Sequence, residues 1–205
     1  MKITKSGLVG ILIGSKLTGR HWLDLLTDGG ILLDVGCGTG RLLEKIESYG
    51  IGIDLNSEAL NEAEKKGRTV VRGVGQMLPF KEDSFSLVVS DHVIEHLYPH
   101  EAWAMLKESA RVLKTEGFLV LGSEVENKKF WNSLSHIRPY PPSAIGKITN
   151  DTSQETFEKI NKLFPVAKFY QSEAKENSIG FFAKTLLSQF IPALRKDYFL
   201  ILQKK

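Results

Sequence analysis

Strand-like and helix-like segments alternate strictly between Gly30 and Ser123, and this alternation constrains the fold more than any other feature of the chain. Five short apolar runs read as strands, at 31–35, 50–55, 68–73, 85–90 and 117–123. Segments with helical spacing of apolar residues lie between them, at 41–49, 57–66 and 100–113. Strands that alternate with helices form a parallel sheet covered on both faces. The sequence therefore predicts an α/β fold with a doubly wound sheet.

The alternation ends after Ser123. The next stretch, ENKKFWNSLSHIRPYPPSAIG, holds three prolines and three aromatic residues, which predicts a long loop. Later patterns predict a helix, a strand, an apolar helix and a last strand, at 153–164, 166–174, 180–190 and 197–204. We expect one domain over 1–205, divided into an N-terminal cap (1–29), a core (30–122), a lid or substrate loop (123–152) and C-terminal helices and strands (153–205).

The composition limits the compartment and the partners. Among 205 residues there is one cysteine, Cys37, so no internal disulfide can form and a cytoplasmic location is expected. The net charge of +3 permits an anionic partner without requiring one. No apolar stretch approaches the length of a membrane span, so none is predicted.

A glycine-rich turn joins the first strand to the first helix, in the stretch LLDVGCGTGRLLEK (32–45). Gly36, Gly38 and Gly40 are spaced G-x-G-x-G, which matches neither the P-loop nor the dinucleotide pattern G-x-G-x-x-G. Asp34 precedes the turn and would repel a phosphate. A cationic group beside Asp34 and an anionic group at the helix N-terminus would both be stabilised. The turn therefore favours a ligand with both an ammonium and a carboxylate group.

Asp54 closes the second predicted strand. A carboxylate at this place suits the two hydroxyls of a ribose. An amino-acid end at the first turn and a ribose at the second together describe S-adenosylmethionine.

Residues 31–122 resemble the core of class I S-adenosylmethionine-dependent methyltransferases, of the broad group typified by ubiquinone and menaquinone biosynthesis enzymes. The resemblance rests on the order and spacing of four stretches: LLDVGCGTG, GIDL, LPFKEDSFSLVVSDHVIEHL and ARVLKTEGFLVL. It implies a Rossmann-like sheet of seven strands, the last antiparallel, with helices on both faces. It also implies S-adenosylmethionine as the cofactor and methyl transfer as the reaction.

The resemblance assigns roles to individual residues. The methionine end of the cofactor would be lined by Asp34, Gly36 and Gly38, with Cys37 as a small residue fitted beneath it. Asp54 would hold the ribose, Leu55 the adenine face, and Gly75 and Gln76 the adenine edge. Ser90, His92 and His96 would lie near the sulfonium. Val74 departs from the family, which usually has an acid there.

Two histidines are candidate catalytic bases. His92 follows the fourth strand, and His136 lies in the predicted loop beside Arg138 and Tyr140, which could bind a polar acceptor. His92 and His96 are spaced to share one helical face, but no third ligand follows at a suitable spacing. No metal site is therefore predicted.

The acceptor has three alternatives. A chain with no additional domain favours a small-molecule acceptor. An RNA or protein acceptor is disfavoured because no basic stripe with interleaved aromatic residues is present. A non-catalytic, cofactor-binding partner protein is the third alternative. The sequence carries no signal of an oligomeric state.

Overall fold

The computed structural model describes residues 21–150, 157–160, 162–171, 184 and 186–205. In this part of the chain the strands are β1 (Leu32–Val35), β2 (Gly50–Asp54), β3 (Thr69–Arg72), β4 (Phe85–Asp91), β5 (Leu113–Glu124), β6 (Leu163–Gln171) and β7 (Asp197–Lys204). The helices are α1 (Asp24–Thr27), α2 (Arg41–Lys45), α3 (Ser57–Lys65), α4 (Pro99–Val112) and α5 (Pro142–Asn150). Short 3₁₀ turns lie at Ile94–His96, Phe130–Asn132 and Pro192–Leu194.

The strands form one seven-stranded sheet in the order β3-β2-β1-β4-β5-β7-β6. β1 pairs in parallel with both β2 and β4, and β7 runs antiparallel to its neighbours β5 and β6. The predicted Rossmann-like sheet with an antiparallel last strand is confirmed. From β1 the chain builds outward to β3 and then returns to place β4 on the other side of β1. In such sheets ligands bind beyond the carboxyl ends of the strands at this reversal.

Two apolar clusters cover the two faces of the sheet, because successive strand residues point to opposite sides. Leu33 and Val88 pack on one face with Met105 of α4. Leu32 and Leu87 pack on the other face, beneath α1 and α2. Each such fully buried side chain contributes about 1.5–3 kcal/mol of transfer free energy. The central strands are therefore rigid supports for the loops at their ends.

The predicted loop 123–152 is wrong in its last part, where α5 spans Pro142–Asn150. Prolines predicted a loop there, but Pro142 is the first residue of the helix, where a missing N–H has no intrahelical partner to lose. The carbonyl of Pro141 accepts from the amides of Ala144 and Ile145 and so begins the helix.

Several boundaries also differ from the prediction. The predicted helix 41–49 ends at Lys45, and the fifth strand begins at Leu113 rather than at residue 117. The predicted helix 153–164 is wrong at its end, because β6 begins at Leu163. Residues 1–20, 151–156, 161, 172–183 and 185 lie outside the described residues. Most of the predicted N-terminal cap and parts of the two predicted C-terminal helices fall among them.

Among the helices of the described residues, none is both long enough and apolar enough to cross a membrane.

Candidate active site

The glycine turn after β1 has the conformation that its sequence predicts. Gly38 has φ +52°, and a side chain at that position would meet no atom within 4 Å. The Gly38 amide donates to Oδ2 of Asp54 at 2.8 Å, so the turn is tied to the end of β2. Gly36 has φ +79°, and an added Cβ would lie 2.2 Å from a methyl group of Val93. The turn therefore leaves open space beside Gly38 and packs against Val93 at Gly36.

Three carboxylates converge at this turn, from Asp34, Asp54 and Asp91. Asp34 is buried, and burial, followed by repulsion from Asp91 and then Asp54, raises its pKa to about 7. Burial is also the largest cause of the raised pKa of Asp91. A cationic ligand group would offset this repulsion by favouring the ionised carboxylates. The electrostatics of the turn are thus those of a site for a positive charge.

Cys37 is buried beneath the turn. Its sulfur fills space beside Gly52, where a Cβ would lie 2.5 Å from Sγ. Burial, then repulsion from Asp34 and Asp54, raises the pKa of the thiol to about 12. Cys37 is therefore a neutral packing residue and a poor nucleophile.

The predicted adenine side lies at the ends of β2 and β3. Leu55 follows β2 with 62% of its surface exposed, so an apolar face is open there. Gly75 is packed against Met105 and Val35, since a Cβ would come within 2.9 Å of each. Gln76 is half-buried in the turn that follows Gly75. These residues flank the same edge of the sheet as the glycine turn.

Ser90 does not face this edge with its side chain. It is 1% exposed, and its hydroxyl contacts the sulfur of Met105 at 3.7 Å in the interior. The last residues of β4 alternate between the interior and the site, and Asp91 is the one that reaches the site. Gly122 makes this possible, because a Cβ there would lie 2.0 Å from Oδ1 of Asp91.

His92 is surrounded by carboxylates. Its Nδ1 lies 3.0 Å from Oε1 of Glu95, and its Nε2 lies 3.9 Å from Asp91 and 3.8 Å from Asp197. The hydrogen bond to Glu95 is the largest cause that raises the pKa of His92 to about 9. The ring is therefore a doubly protonated imidazolium at neutral pH in this structure. An imidazolium has no free nitrogen lone pair, so His92 in this state cannot accept a proton as the predicted base would.

Glu95 organises the segment after β4 and was missed as a predicted site residue. It is fully buried, and Oε2 accepts from the hydroxyl of Ser123 at 2.9 Å. Burial tends to raise the pKa of Glu95, but its hydrogen bonds to His92, its own backbone and Ser123 hold it below the ordinary value. The signal available in the sequence was an acid four residues after the end of β4.

His92 and His96 do not share a helical face as their spacing suggested. His92 has φ +55° and precedes a 3₁₀ turn of three residues, Ile94–His96. His96 turns instead toward the loop, where its Nδ1 bonds the carbonyl of Ser135 at 2.9 Å and its ring lies 5.0 Å from that of His136. The structure thus brings His96 together with His136 rather than with His92.

His136 is largely buried. Its Nδ1 bonds the carbonyl of Phe130 at 2.9 Å, and Oε2 of Glu124 lies 4.0 Å away. The loop docks on the segment after β4 because the Ile137 amide donates to the carbonyl of Glu95 at 2.8 Å. The structure therefore places His136 beside the carboxyl edge of the sheet, as a candidate site residue should be.

Tyr140 and Arg138 are arranged differently from the prediction. Tyr140 is 7% exposed, and its hydroxyl donates to the carbonyl of Leu97 at 2.8 Å. Its own carbonyl accepts from the hydroxyl of Tyr198. Tyr140 is thus an anchor for the loop rather than an open acceptor contact. Arg138 is exposed and lies over the Tyr140 ring at 5.2 Å.

Comparisons with known proteins agree with this geometry. Residues 33–121 match the family model described as "Methyltransferase domain". The chain is 34% identical over 90 residues to the uncharacterized protein MJ1123 of Methanocaldococcus jannaschii, covering 44% of this chain and 42% of that protein. It is 29% identical over 102 residues to a tRNA (carboxymethyluridine(34)-5-O)-methyltransferase of Arabidopsis thaliana, covering 49% of this chain and 25% of that one. The chain thus spans less than two thirds of the length of these curated relatives.

A solved structure extends the likeness to the whole fold. The crystal structure of a SAM-dependent methyltransferase from Archaeoglobus fulgidus matches with a TM-score of 0.67, covering 94% of this chain and 93% of that one. The identity is 18%, so this likeness concerns the fold alone. Residues 33–121 are thus similar in sequence to a methyltransferase domain, and most of the chain shares its fold with a solved SAM-dependent methyltransferase. The finer resemblance to the ubiquinone and menaquinone type stays a prediction.

Proposed function

We propose that the protein is an S-adenosylmethionine-dependent methyltransferase. The observation that carries the proposal is the open glycine turn, with buried Asp34 behind it and Asp54 bonded across it, at the reversal point of the sheet. The buried carboxylate favours the positive charges of the cofactor, namely its ammonium and its sulfonium. The open space beside Gly38 leaves room for the methionine end to approach.

The proposed contacts follow the order of the strands. Asp34, Gly36 and Gly38 line the methionine end, with Cys37 packed below. Asp54 accepts hydrogen bonds from the ribose hydroxyls, and Leu55 covers one face of the adenine. Gly75 and Gln76 lie along the adenine edge, and His96 lies beyond the sulfonium. Ser90 is left out of this set because its hydroxyl is buried against Met105.

The chemistry of methyl transfer asks little of a base. The sulfonium already activates the methyl group, so the main task of the protein is to hold nucleophile, carbon and sulfur in line. Because three carboxylates surround His92, we assign it the role of holding Asp91, Glu95 and Asp197 in place. His136 and Arg138 remain the proposed acceptor contacts, since both lie on the loop that docks on the segment after β4.

A small-molecule acceptor is the proposal that a cavity in the structure supports. A cavity of about 470 Å³ lies beside the end of β5 and the start of β7, a volume within the usual range for small ligands. Lys128, Lys184 and Lys196 lie along its wall, together with Glu124. Their charges would suit an acceptor with an anionic group.

An RNA acceptor is the second candidate, and one observation favours it. A relative that matches about half of this chain is a tRNA methyltransferase. RNA binding that neutralises phosphates weakens steeply with salt. Affinity that depends on phosphate contacts falls by orders of magnitude between about 50 and 200 mM salt. If the protein binds tRNA with such a salt dependence, the small-molecule proposal is replaced by an RNA acceptor.

Calorimetry with S-adenosylhomocysteine tests the cofactor site directly. Substitution Asp54→Ala removes hydrogen bonds to a charged acceptor, worth about 1.5–3 kcal/mol, so the affinity should fall about 10- to 100-fold. The control variant Glu64→Ala changes an exposed carboxylate on α3 and should bind like the wild type. Equal affinities for wild type and Asp54→Ala, or binding of a nicotinamide cofactor instead, would contradict the proposal.

A further inference from the structure

A cluster of metal-ligating side chains lies beside the proposed cofactor site. One donor atom from each of Glu95, His96 and His136 lies within 4.8 Å of the other two. Glu95 and His96 follow β4, and His136 reaches them from the loop that docks on the Glu95 backbone. The third ligand that the sequence did not supply is thus brought in by the fold. We propose that this cluster binds one divalent transition-metal ion.

The tautomers of His96 and His136 suit metal coordination. Nδ1 of His96 bonds the carbonyl of Ser135, and Nδ1 of His136 bonds the carbonyl of Phe130, each at 2.9 Å. A carbonyl only accepts, so each Nδ1 carries the proton, and the lone pair of the neutral ring is on Nε2. A backbone carbonyl that accepts from the second ring nitrogen is the usual arrangement around metal-binding histidines, because it fixes the tautomer and the ring orientation.

Glu95 supplies the negative ligand. Its oxygens are held by His92 and Ser123, and each oxygen keeps a second lone pair for an ion. A zinc ion holds such ligands at about 2.0–2.2 Å, which places the donor atoms about 3–4 Å apart. Donor atoms within 4.8 Å therefore need side-chain movements of only about 1 Å to close on an ion.

The donor set selects the class of metal. Two imidazoles and one carboxylate suit zinc, iron, cobalt or nickel, whereas magnesium and calcium prefer oxygen ligands alone. Three protein ligands leave a position open, as in zinc sites that act on substrates. The ion would thus have room for an oxygen atom from another molecule.

The position of the cluster connects it to the proposed reaction, and this step rests on the proposed function. Val93, two residues before Glu95, packs against Gly36 of the glycine turn. An acceptor hydroxyl bound to the ion would have a lowered pKa and would lose its proton to water. The oxygen would then attack the methyl carbon, forming the C–O bond as the C–S bond breaks and its electron pair goes to sulfur. The acceptor class that follows is a hydroxyl compound.

Cobalt titration of tag-free protein tests the site without any methyl acceptor. We expect the wild type to bind one equivalent of Co²⁺ with d–d absorption, and Zn²⁺ to displace it. His96→Gln and His136→Gln should each weaken binding by about 100-fold or more, since loss of a partner behind a ligand already costs about 10- to 100-fold. His100→Gln is the control, because that histidine is exposed and outside the cluster.

Several outcomes would overturn the proposal. It fails if the wild type binds neither ion, if both cluster variants bind like His100→Gln, or if a thiolate-to-cobalt band shows Cys37 to be the ligand. Circular dichroism establishes that the variants are folded, and a rise in wild-type Tm with Zn²⁺ that His100→Gln retains gives a second measure of binding. S-adenosylhomocysteine affinity in the presence of a chelator should stay unchanged. If the protein did not bind S-adenosylhomocysteine at all, the proposed function would be refuted, but the evidence for the metal site would be unaffected.

Discussion

Replacement of Asp34 by asparagine tests the central electrostatic feature of the turn. Asp34 is 4% exposed in β1, and burial is the largest cause of its raised pKa of about 7. In the unfolded chain the pKa of the group is 3.8. Between these two values the native state holds a proton that the unfolded state has released. The free energy of unfolding therefore falls as the pH rises through this window.

The size of the effect follows from the two pKa values. Integration of the proton linkage gives a loss of about 2–3 kcal/mol between pH 5 and pH 8, and about 4 kcal/mol between acid and pH 7. The neutral amide of Asp34→Asn cannot titrate, so its stability should lack this component. The variant should therefore be more stable than the wild type at pH 8.

Urea unfolding at pH 5, 6, 7 and 8 measures the difference. The advantage of Asp34→Asn over the wild type should grow with pH, and each kcal/mol should raise Tm by about 2–4 °C in a chain of this length. Glu64→Gln is the matched control, since it makes the same change at an exposed site on α3. The reasoning is refuted if Asp34→Asn and the wild type keep a constant difference across the range. The same variant should bind S-adenosylhomocysteine more weakly, because it lacks the carboxylate that favours the ammonium.

Two further predictions concern the glycine turn and the anchoring of the loop by Tyr140. Gly36→Ala and Gly38→Ala both place a side chain at positive φ, at a cost of about 1–2 kcal/mol, but only at Gly36 does the new Cβ meet Val93. Urea unfolding should therefore show the larger loss for Gly36→Ala, while Gly38→Ala should mainly weaken cofactor binding in calorimetry; equal losses of stability would contradict this. Tyr140→Phe removes the hydrogen bond to the Leu97 carbonyl and should lower the free energy of unfolding by about 1 kcal/mol with cofactor affinity unchanged, whereas loss of acceptor binding alone would restore its predicted substrate role.

The sheet could be predicted because its signals are local. Apolar runs such as 85–90 and the glycine turn at 36–40 each lie within a few residues, and their alternation determines the parallel arrangement. The proposed cofactor side rests on equally local signals, since Asp34 and Asp54 lie at the carboxyl ends of neighbouring strands. The exception was α5. Proline is common both in loops and at the first position of a helix, so the prolines around the start of α5 did not reveal that a helix begins there.

The rest of the site depends on contacts between distant parts of the chain. His96 and His136 are far apart in sequence, and their rings meet because Ile137 bonds the backbone of Glu95. The sequence predicts Tyr140 as an acceptor contact, whereas in the structure its hydroxyl donates to the carbonyl of Leu97. No pattern of spacing contains such pairings. The predicted sharing of a helical face by His92 and His96 was wrong because that segment turns as a short 3₁₀ helix.

The proposed cofactor side and the proposed acceptor side of the site can change independently, because different contacts hold them. The proposed cofactor side consists of strand ends and one turn, where the hydrogen bond from Gly38 to Asp54 involves no residue of the 123–140 loop. The proposed acceptor side consists of that loop, which docks on the segment after β4 through Ile137 and Tyr140. Substitutions on the loop can therefore alter the acceptor while the turn keeps its geometry. Under the proposed function, the fold would determine the cofactor, and the docking of this loop would determine which acceptor is methylated.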